Sequence, residues 1–109
     1  MFGFNDNQIK TISPKNAYER LKSEKDIVLL DVRTMEEYKE KRIPNSINIP
    51  LNLLAQVEKK IPDKEQTIFV YCLSGNRSNT ASKILNKFGY KHVYNMGGIS
   101  NWFFETVRG

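Results

Sequence analysis

The sequence predicts an α/β fold, with a mainly parallel sheet and helices on both faces. Apolar runs typical of buried strands alternate along the chain with segments whose apolar residues recur every three or four positions, as in helices. The run at residues 27–30 is hydrophobic throughout, which favours a strand covered on both faces. Neither a repeat nor a linker interrupts this alternation, and 109 residues are enough for one core, so we expect a single domain over residues 1–109.

The first elements are predicted from a short apolar run and two helix starts. Residues 9–12 favour a brief strand. Ser13 is a candidate N-cap with Pro14 at the first helical position, which is typical of a helix start. Thr34 followed by Glu37 forms a capping box, which predicts a short helix around residues 35–39.

The middle of the chain is broken by prolines and then becomes regular again. Residues 47–49 favour a brief extended piece between Pro44 and Pro50. A helix is predicted next, ending before Pro62, from apolar residues at helical spacing: Leu53, Leu54, Val57 and Ile61. Residues 67–70 then read as a second buried strand.

The last third is predicted as helix, strand and helix. The first helix is indicated by Ala81, Ile84, Leu85 and Phe88, with Gly89 as a plausible residue just past its end. Residues 92–95 favour another strand. We expect Gly97 and Gly98 to turn the chain into a final helix with one apolar side: Ile99, Trp102, Phe103 and Val107.

The stretch that joins the strand at 67–70 to the next helix contains the one cysteine of the chain, Cys72. At the carboxyl end of a parallel strand, where sites form, Gly75 permits a tight turn with successive N–H groups pointing inward. Ser78 or Asn79 is expected to cap the following helix, whose N-terminus favours an anion. Such surroundings shift a thiol toward thiolate. The sequence therefore predicts an activated sulfur in an anion-binding loop.

This loop, Tyr-Cys-x-x-Gly-x-Arg-Ser at residues 71–78, resembles the active-site loop of single-domain rhodaneses, the thiosulfate sulfurtransferase-like family. Further family markers occur in the same order along the chain: Leu30-Asp31-Val32-Arg33, Glu37-Tyr38, Ile43-Pro44, Ile47-Asn48-Ile49-Pro50, Gly89-Tyr90, Gly97-Gly98-Ile99 and Trp102. The chain departs from the usual pattern where Lys41-Arg42 replaces Gly-His and Asn45-Ser46 replaces Gly-Ala.

The resemblance implies a sulfurtransferase with Cys72 as nucleophile and persulfide carrier. Its substrates would be small sulfur-containing anions such as thiosulfate, with thiols or cyanide as acceptors and a sulfur-relay protein as a candidate partner. It implies no cofactor and no metal. The predicted substrate-binding residues are those of the loop: Leu73, Ser74, Gly75, Asn76, Arg77 and Ser78.

The sequence of the loop is also compatible with other interpretations. Cys72 is alternatively a buried structural cysteine, or part of a non-catalytic rhodanese-like module that binds partners or senses redox state. A cysteine-dependent phosphatase is disfavoured, because four residues separate Cys72 from Arg77 whereas those enzymes use Cys-x5-Arg to surround phosphate oxygens.

The other charged residues of the motifs are expected to have structural roles more than catalytic ones. Arg77 either adds positive charge beside the thiol or pairs with an upstream carboxylate, and the two roles are compatible. Asp31, Arg33 and Glu37 are expected as such ion-pair partners. His92, the single histidine, opens a strand and is expected at the surface, because a thiolate needs no general base.

Composition restricts the compartment and the partners. Lys and Arg number 17 and Asp and Glu 12, giving a formal charge of +5 that is spread along the chain. This favours attraction of small anions over a dedicated nucleic-acid surface. The sequence shows neither a targeting segment at residues 1–7 nor an apolar run long enough to span a membrane. With one cysteine and no possible internal disulfide, we expect a cytoplasmic location and no membrane partner.

Overall fold

The structure, a computed structural model, describes residues 9–109. The centre of this described part is a five-stranded sheet in the order β1-β5-β4-β2-β3, in which all neighbouring strands are parallel. The strands are β1 (Lys10–Thr11), β2 (Ile27–Asp31), β3 (Ile47–Asn48), β4 (Thr67–Cys72) and β5 (His92–Gly98). The predicted α/β class with a mainly parallel sheet is confirmed. The sequence at residues 1–7, read above for targeting signals, lies outside the described residues.

Within residues 9–109, four α-helices connect the strands: α1 (Pro14–Ser23), α2 (Met35–Glu40), α3 (Val57–Lys60) and α4 (Asn76–Lys87). Two of their predicted starts are confirmed. The Ser13 hydroxyl accepts a hydrogen bond from the Asn16 N–H, and Thr34 and Glu37 form a reciprocal capping box. Over residues 9–109, none of the helices has the length and apolar character that crossing a bilayer requires.

Side chains of β4 alternate between the two faces of the sheet, so each face has its own core. Ile68, Val70 and Cys72 lie in the cluster covered by α3 and α4, whereas Phe69 and Tyr71 lie in the cluster that contains Ala17 of α1. All five of these strand residues are at most 1% exposed. Helices therefore cover both faces, as predicted, and β4 runs through the middle of the molecule.

The predicted helix over residues 53–61 is only partly correct. A 3₁₀ helix, Leu51–Gln56, precedes the short α3, and Leu53 within this 3₁₀ segment has non-helical backbone angles. This break turns Leu53 outward, where it is 43% exposed, while Leu54, Val57 and Ile61 are buried. Since a continuous helix would place all four residues on one side, the break explains why only three reach the core.

The predicted final helix is wrong. β5 continues through Gly97 and Gly98, and only a 3₁₀ turn, Ile99–Asn101, follows. Phe103 is 83% exposed. Val107 instead exchanges two backbone hydrogen bonds with Arg42, at 2.8 and 2.9 Å, which require an extended chain.

The departure from the family pattern at Asn45 has a simple backbone explanation. Pro44 and Asn45 form a turn closed by the Ser46 N–H and the Ile43 carbonyl, and Asn45 has φ 68°. This left-handed conformation suits glycine, and asparagine is among the few other residues that adopt it readily. The turn therefore keeps its shape without the glycine.

Candidate active site

The candidate site lies at the carboxyl end of β4, between its neighbours β5 and β2. Cys72 ends the strand and α4 begins four residues later, at Asn76. The Cys72 residue is 1% exposed. The predicted loop is thus a short connection that keeps the sulfur close to the first turn of the helix.

Gly75 makes this short connection possible. It has φ 111° and is the residue that precedes α4, so the helix starts without a side-chain cap. The expectation that Ser78 or Asn79 caps the helix is therefore wrong: both lie inside its first turns. The left-handed turn at Gly75 starts the helix earlier than a serine or asparagine cap would, and the Asn79 N–H bonds to the Gly75 carbonyl at 3.0 Å.

Hydrogen-bonding groups surround the sulfur. The Gly75 N–H lies 3.0 Å from the Cys72 Sγ and the Ser78 hydroxyl lies 3.4 Å from it. Burial raises the pKa of the Cys72 thiol, but the Ser78 hydroxyl and the N–H groups of Ser78, Gly75 and Ser74 outweigh it, so the pKa is lowered. The predicted nest of amides is thus formed by part of the loop.

The floor of the loop is β5. A β-bulge shifts the register so that Tyr71 pairs with Gly97 and Cys72 with Gly98. The Leu73 carbonyl accepts a hydrogen bond from the Ser100 N–H at 3.2 Å and approaches Gly98 so closely that a Cβ there would lie 2.0 Å from its oxygen. Gly98 is therefore required for the loop to lie on β5. The sequence pattern predicts a different role for it, as a turn residue before a final helix.

Asn95 of β5 is a further residue of the site, and no pattern in the sequence indicates it. Its Oδ1 accepts hydrogen bonds from the Gly97 N–H at 2.9 Å and from the Ser78 hydroxyl at 2.7 Å. Ser78 is fully buried. A chain of contacts thus connects the cysteine, through Ser78, to the neighbouring strand.

Arg77 is not an unpaired cation. Its guanidinium forms two hydrogen bonds to the Glu37 carboxylate, at 2.8 and 3.0 Å. The Arg77 side chain and a bond from the Thr34 N–H lower the pKa of Glu37 to about 2. The pair ties α4 to α2, while Arg77 still contributes positive potential near Cys72, since the charge of Cys72 raises the pKa of Arg77. Both expected roles are therefore compatible with the geometry.

The remaining charged residues have the structural positions expected of them. Asp31 and Arg33 form a buried pair, with Nη2 and Oδ2 2.7 Å apart. Arg33 also donates to the Lys41 carbonyl at 2.6 Å, which ties β2 to the segment after α2. His92 lies at the opposite end of β5 from the loop, beside Glu65, and its side chain is 45% exposed.

The outer side of the loop is accessible. Leu73, Ser74 and Asn76 are exposed. A hollow of about 400 Å³ borders Arg77, lined also by Val32, Thr34, Pro50, Leu51 and Asn52. Another of about 380 Å³ borders Ser74 and Asn95. Across residues 9–109, His, Cys, Asp and Glu form no group of three that could hold a metal ion.

Comparison with known proteins identifies the family. The model of the rhodanese-like domain matches residues 13–105. Thiosulfate sulfurtransferase PspE of Escherichia coli (strain K12) is 38% identical over 81 residues, which are 73% of this chain and 78% of PspE. Thiosulfate sulfurtransferase GlpE of Coxiella burnetii is 36% identical over 94 residues, 85% and 86% of the two chains. A solved structure, a rhodanese with anions from E. coli, has a TM-score of 0.72 and 37% identity, covering 76% of this chain and 99% of that one. With this match in sequence and in fold, the chain belongs to the rhodanese-like domain family.

Proposed function

We propose that the protein is a rhodanese-type sulfurtransferase that carries the transferred sulfur as a persulfide on Cys72. The observation that supports this most is the donor set around the Cys72 sulfur. The Gly75 N–H at 3.0 Å and the Ser78 hydroxyl at 3.4 Å favour an anionic sulfur over a neutral thiol. Two relatives named thiosulfate sulfurtransferase, similar over most of their length, support the same reaction class.

In the first half-reaction, the Cys72 thiolate attacks the outer sulfur of thiosulfate. A new sulfur–sulfur bond forms at Cys72, and the bond between the two sulfurs of thiosulfate breaks. Its electron pair leaves with sulfite, so the enzyme holds one additional sulfur as an anionic persulfide. No proton has to be transferred in this step, which agrees with the absence of a general base in contact with Cys72 among residues 9–109.

In the second half-reaction, an acceptor thiolate or cyanide attacks the terminal sulfur of the persulfide. The persulfide bond breaks, its electron pair returns to Cys72 as thiolate, and the acceptor leaves as a persulfide or thiocyanate. The donors that favour the thiolate also make Cys72 a better leaving group here. A sulfur-relay protein with an accessible thiol would be an acceptor of the right chemistry.

Each residue of the loop has a different proposed role in binding the sulfur and its donor or acceptor. Ser74, Gly75 and Ser78 direct N–H groups at the sulfur, and Gly75 and Ser78 contact it directly. Leu73 and Asn76 are exposed at the rim, where a donor or acceptor would approach. Arg77, held by Glu37, supplies positive potential and fixes the first turn of α4. The short loop places amide donors around one sulfur atom.

The test is the intact mass of the protein after incubation with thiosulfate and removal of small molecules. We expect the mass of one added sulfur atom on the wild type and its loss on addition of cyanide, with thiocyanate produced. Because the chain has one cysteine, Cys72→Ser is a complete control for the site. This variant should unfold at a thermal midpoint similar to that of the wild type and should gain no sulfur.

Three results would count against the proposal. Thiocyanate formation by Cys72→Ser at the wild-type rate would exclude the covalent mechanism. A wild type that stays unmodified by thiosulfate and by organic persulfides would instead favour the non-catalytic binding module. Hydrolysis of aryl phosphates by the wild type would support the phosphatase alternative, which the short loop disfavours.

A further inference from the structure

The Ser78 hydroxyl lies among more acceptors than its one hydrogen can satisfy. Asn95 Oδ1 is 2.7 Å away, the Gly75 carbonyl 3.1 Å, the Gly97 carbonyl 3.3 Å and the Cys72 Sγ 3.4 Å. The shortest of these contacts, to Asn95, is the one that holds the hydrogen while Cys72 is a neutral thiol. The thiol then donates its own hydrogen to the Ser78 oxygen.

The orientation of the Asn95 amide is fixed by the backbone. The Gly97 N–H lies 2.9 Å from Oδ1 and can only donate, so the oxygen rather than the NH₂ group faces this side. Asn95 pairs with Val70 directly before the bulge in β5, on the face of the sheet that carries Cys72 and α4. Asn95 is therefore held as an acceptor for Ser78.

We propose that Asn95 is a positioning residue, which holds the Ser78 hydroxyl hydrogen while the sulfur of Cys72 is uncharged and releases it when the sulfur is a thiolate. When Cys72 ionises, Ser78 no longer receives a hydrogen from the thiol. Its hydroxyl then turns to donate to Sγ and gives up Asn95. In the persulfide the attached sulfur is again uncharged, so the hydrogen returns to Asn95. The roles in sulfur transfer rest on the proposed function, but the hydrogen-bond switch itself does not.

This switch makes Asn95 a competitor of the thiolate for one hydrogen. Removing the acceptor should leave the Ser78 hydrogen freer to turn to sulfur and so should lower the pKa of Cys72. Replacing Asn95 with aspartate should do the opposite, because a carboxylate binds the hydrogen more strongly and adds a negative charge on the same side. Two substitutions at one position are thus expected to move the thiol pKa in opposite directions.

The other charged groups near the sulfur are already paired. Arg77 of α4 is bound to Glu37 of α2, and Asp31 of β2 is bound to Arg33. On β5, His92 lies at the far end of the strand beside Glu65. None of these pairs includes Asn95 or Ser78, so substitutions at Asn95 leave them in place.

The experiment measures the rate of iodoacetamide alkylation of the whole protein as a function of pH, followed by intact mass. The single cysteine makes the midpoint a direct measure of the Cys72 pKa. We expect Asn95→Ala to lower it by about half a pH unit and Asn95→Asp to raise it by about one. In a Ser78→Ala background, Asn95→Ala should no longer change the midpoint. Asn101→Ala, an exposed residue in the same hollow, is the matched control and should leave the midpoint unchanged.

Alkylation requires no sulfur donor, so this result is independent of whether the protein transfers sulfur. The proposal is overturned by a midpoint that rises or stays in Asn95→Ala, or by an equal change with and without Ser78. Aspartate has nearly the shape of asparagine, so Asn95→Asp should fold even where the alanine variant does not. If the alkylation midpoint of Asn95→Asp is not higher than that of the wild type, the proposal is overturned.

Discussion

Substitution of Gly98 by alanine tests whether the fit of the loop on β5 controls the cysteine. The new Cβ would lie 2.0 Å from the Leu73 oxygen and 2.6 Å from the Ser74 Cα. Both distances are shorter than 3.0 Å, and real Cβ atoms essentially never approach another heavy atom that closely. Both neighbours are backbone atoms and cannot be moved by a change of rotamer. The loop therefore has to move away from β5 by about 1 Å or more before the distance from the new Cβ to the Leu73 oxygen becomes an ordinary van der Waals contact.

A displacement of this size would break the shortest hydrogen bond to the sulfur. The Gly75 N–H is 3.0 Å from Sγ, and a further 1 Å or so leaves a contact too long to count as a hydrogen bond. We expect the pKa of Cys72 to rise and the rate of sulfur loading from thiosulfate to fall by roughly a hundredfold. Overpacking should also lower the free energy of unfolding by about 1–3 kcal/mol.

The loading rate is measured by intact mass after quenching at short times, and the thiol pKa by the pH dependence of alkylation. Gly89→Ala is the matched control, since Gly89 has φ 98° but its Cβ would meet nothing closer than 3.9 Å, the Lys64 amine. It should lose about 1 kcal/mol of stability through backbone strain and keep both the loading rate and the thiol pKa. A folded Gly98→Ala protein with the wild-type loading rate and thiol pKa would refute the reasoning.

Three further predictions follow from single contacts. The wild-type Cys72 should react with iodoacetamide with a midpoint below that of a cysteine in an unstructured peptide, because its pKa is lowered and the thiolate persists to lower pH; an equal or higher midpoint would contradict this. The Glu37–Arg77 pair should stabilise the fold above about pH 4.5 and lose this effect as the pH falls toward 2, since the folded pKa of Glu37 is about 2. Because both side chains are about one third exposed, the contribution should be only about 1 kcal/mol, and urea unfolding of Glu37→Gln should show a correspondingly weaker dependence on acid. Tyr71→Phe should cost about 1–3 kcal/mol in urea unfolding, because the buried Ile43 N–H loses its acceptor at 3.1 Å, and should leave the alkylation midpoint unchanged.

Local patterns predicted most of the architecture, because local physics determines those parts. The capping box at Thr34 and Glu37 and the Ser13 cap use groups three residues apart, and both form as expected. The buried strands at 27–31 and 67–72 are indicated by continuous apolar runs. The position of Cys72 at the end of the second run follows from the same pattern.

The failures occur where partners distant in the chain decide the conformation. Ile99, Trp102 and Val107 have a spacing compatible with a helix, but Val107 pairs with Arg42, which no local pattern can indicate. Gly98 was interpreted as a turn residue, whereas it is extended and small because the Leu73 carbonyl lies against it. Asn95 is one polar residue in a strand, and its contact with Ser78 exists only because β5 lies beside β4.

The strand order has a consequence for how the site is formed during synthesis. Of the strands that the structure describes, β5 is made last, yet it lies between β1 and β4, so β1 has no partner among these strands until residues 92–98 are available. The cysteine loop also requires Gly98 beneath it. A nascent chain that ends before β5 would therefore expose one edge of β4 and lack the floor of the loop. Its cysteine should behave as an ordinary thiol, so that reactive sulfur chemistry begins only once the sheet is complete.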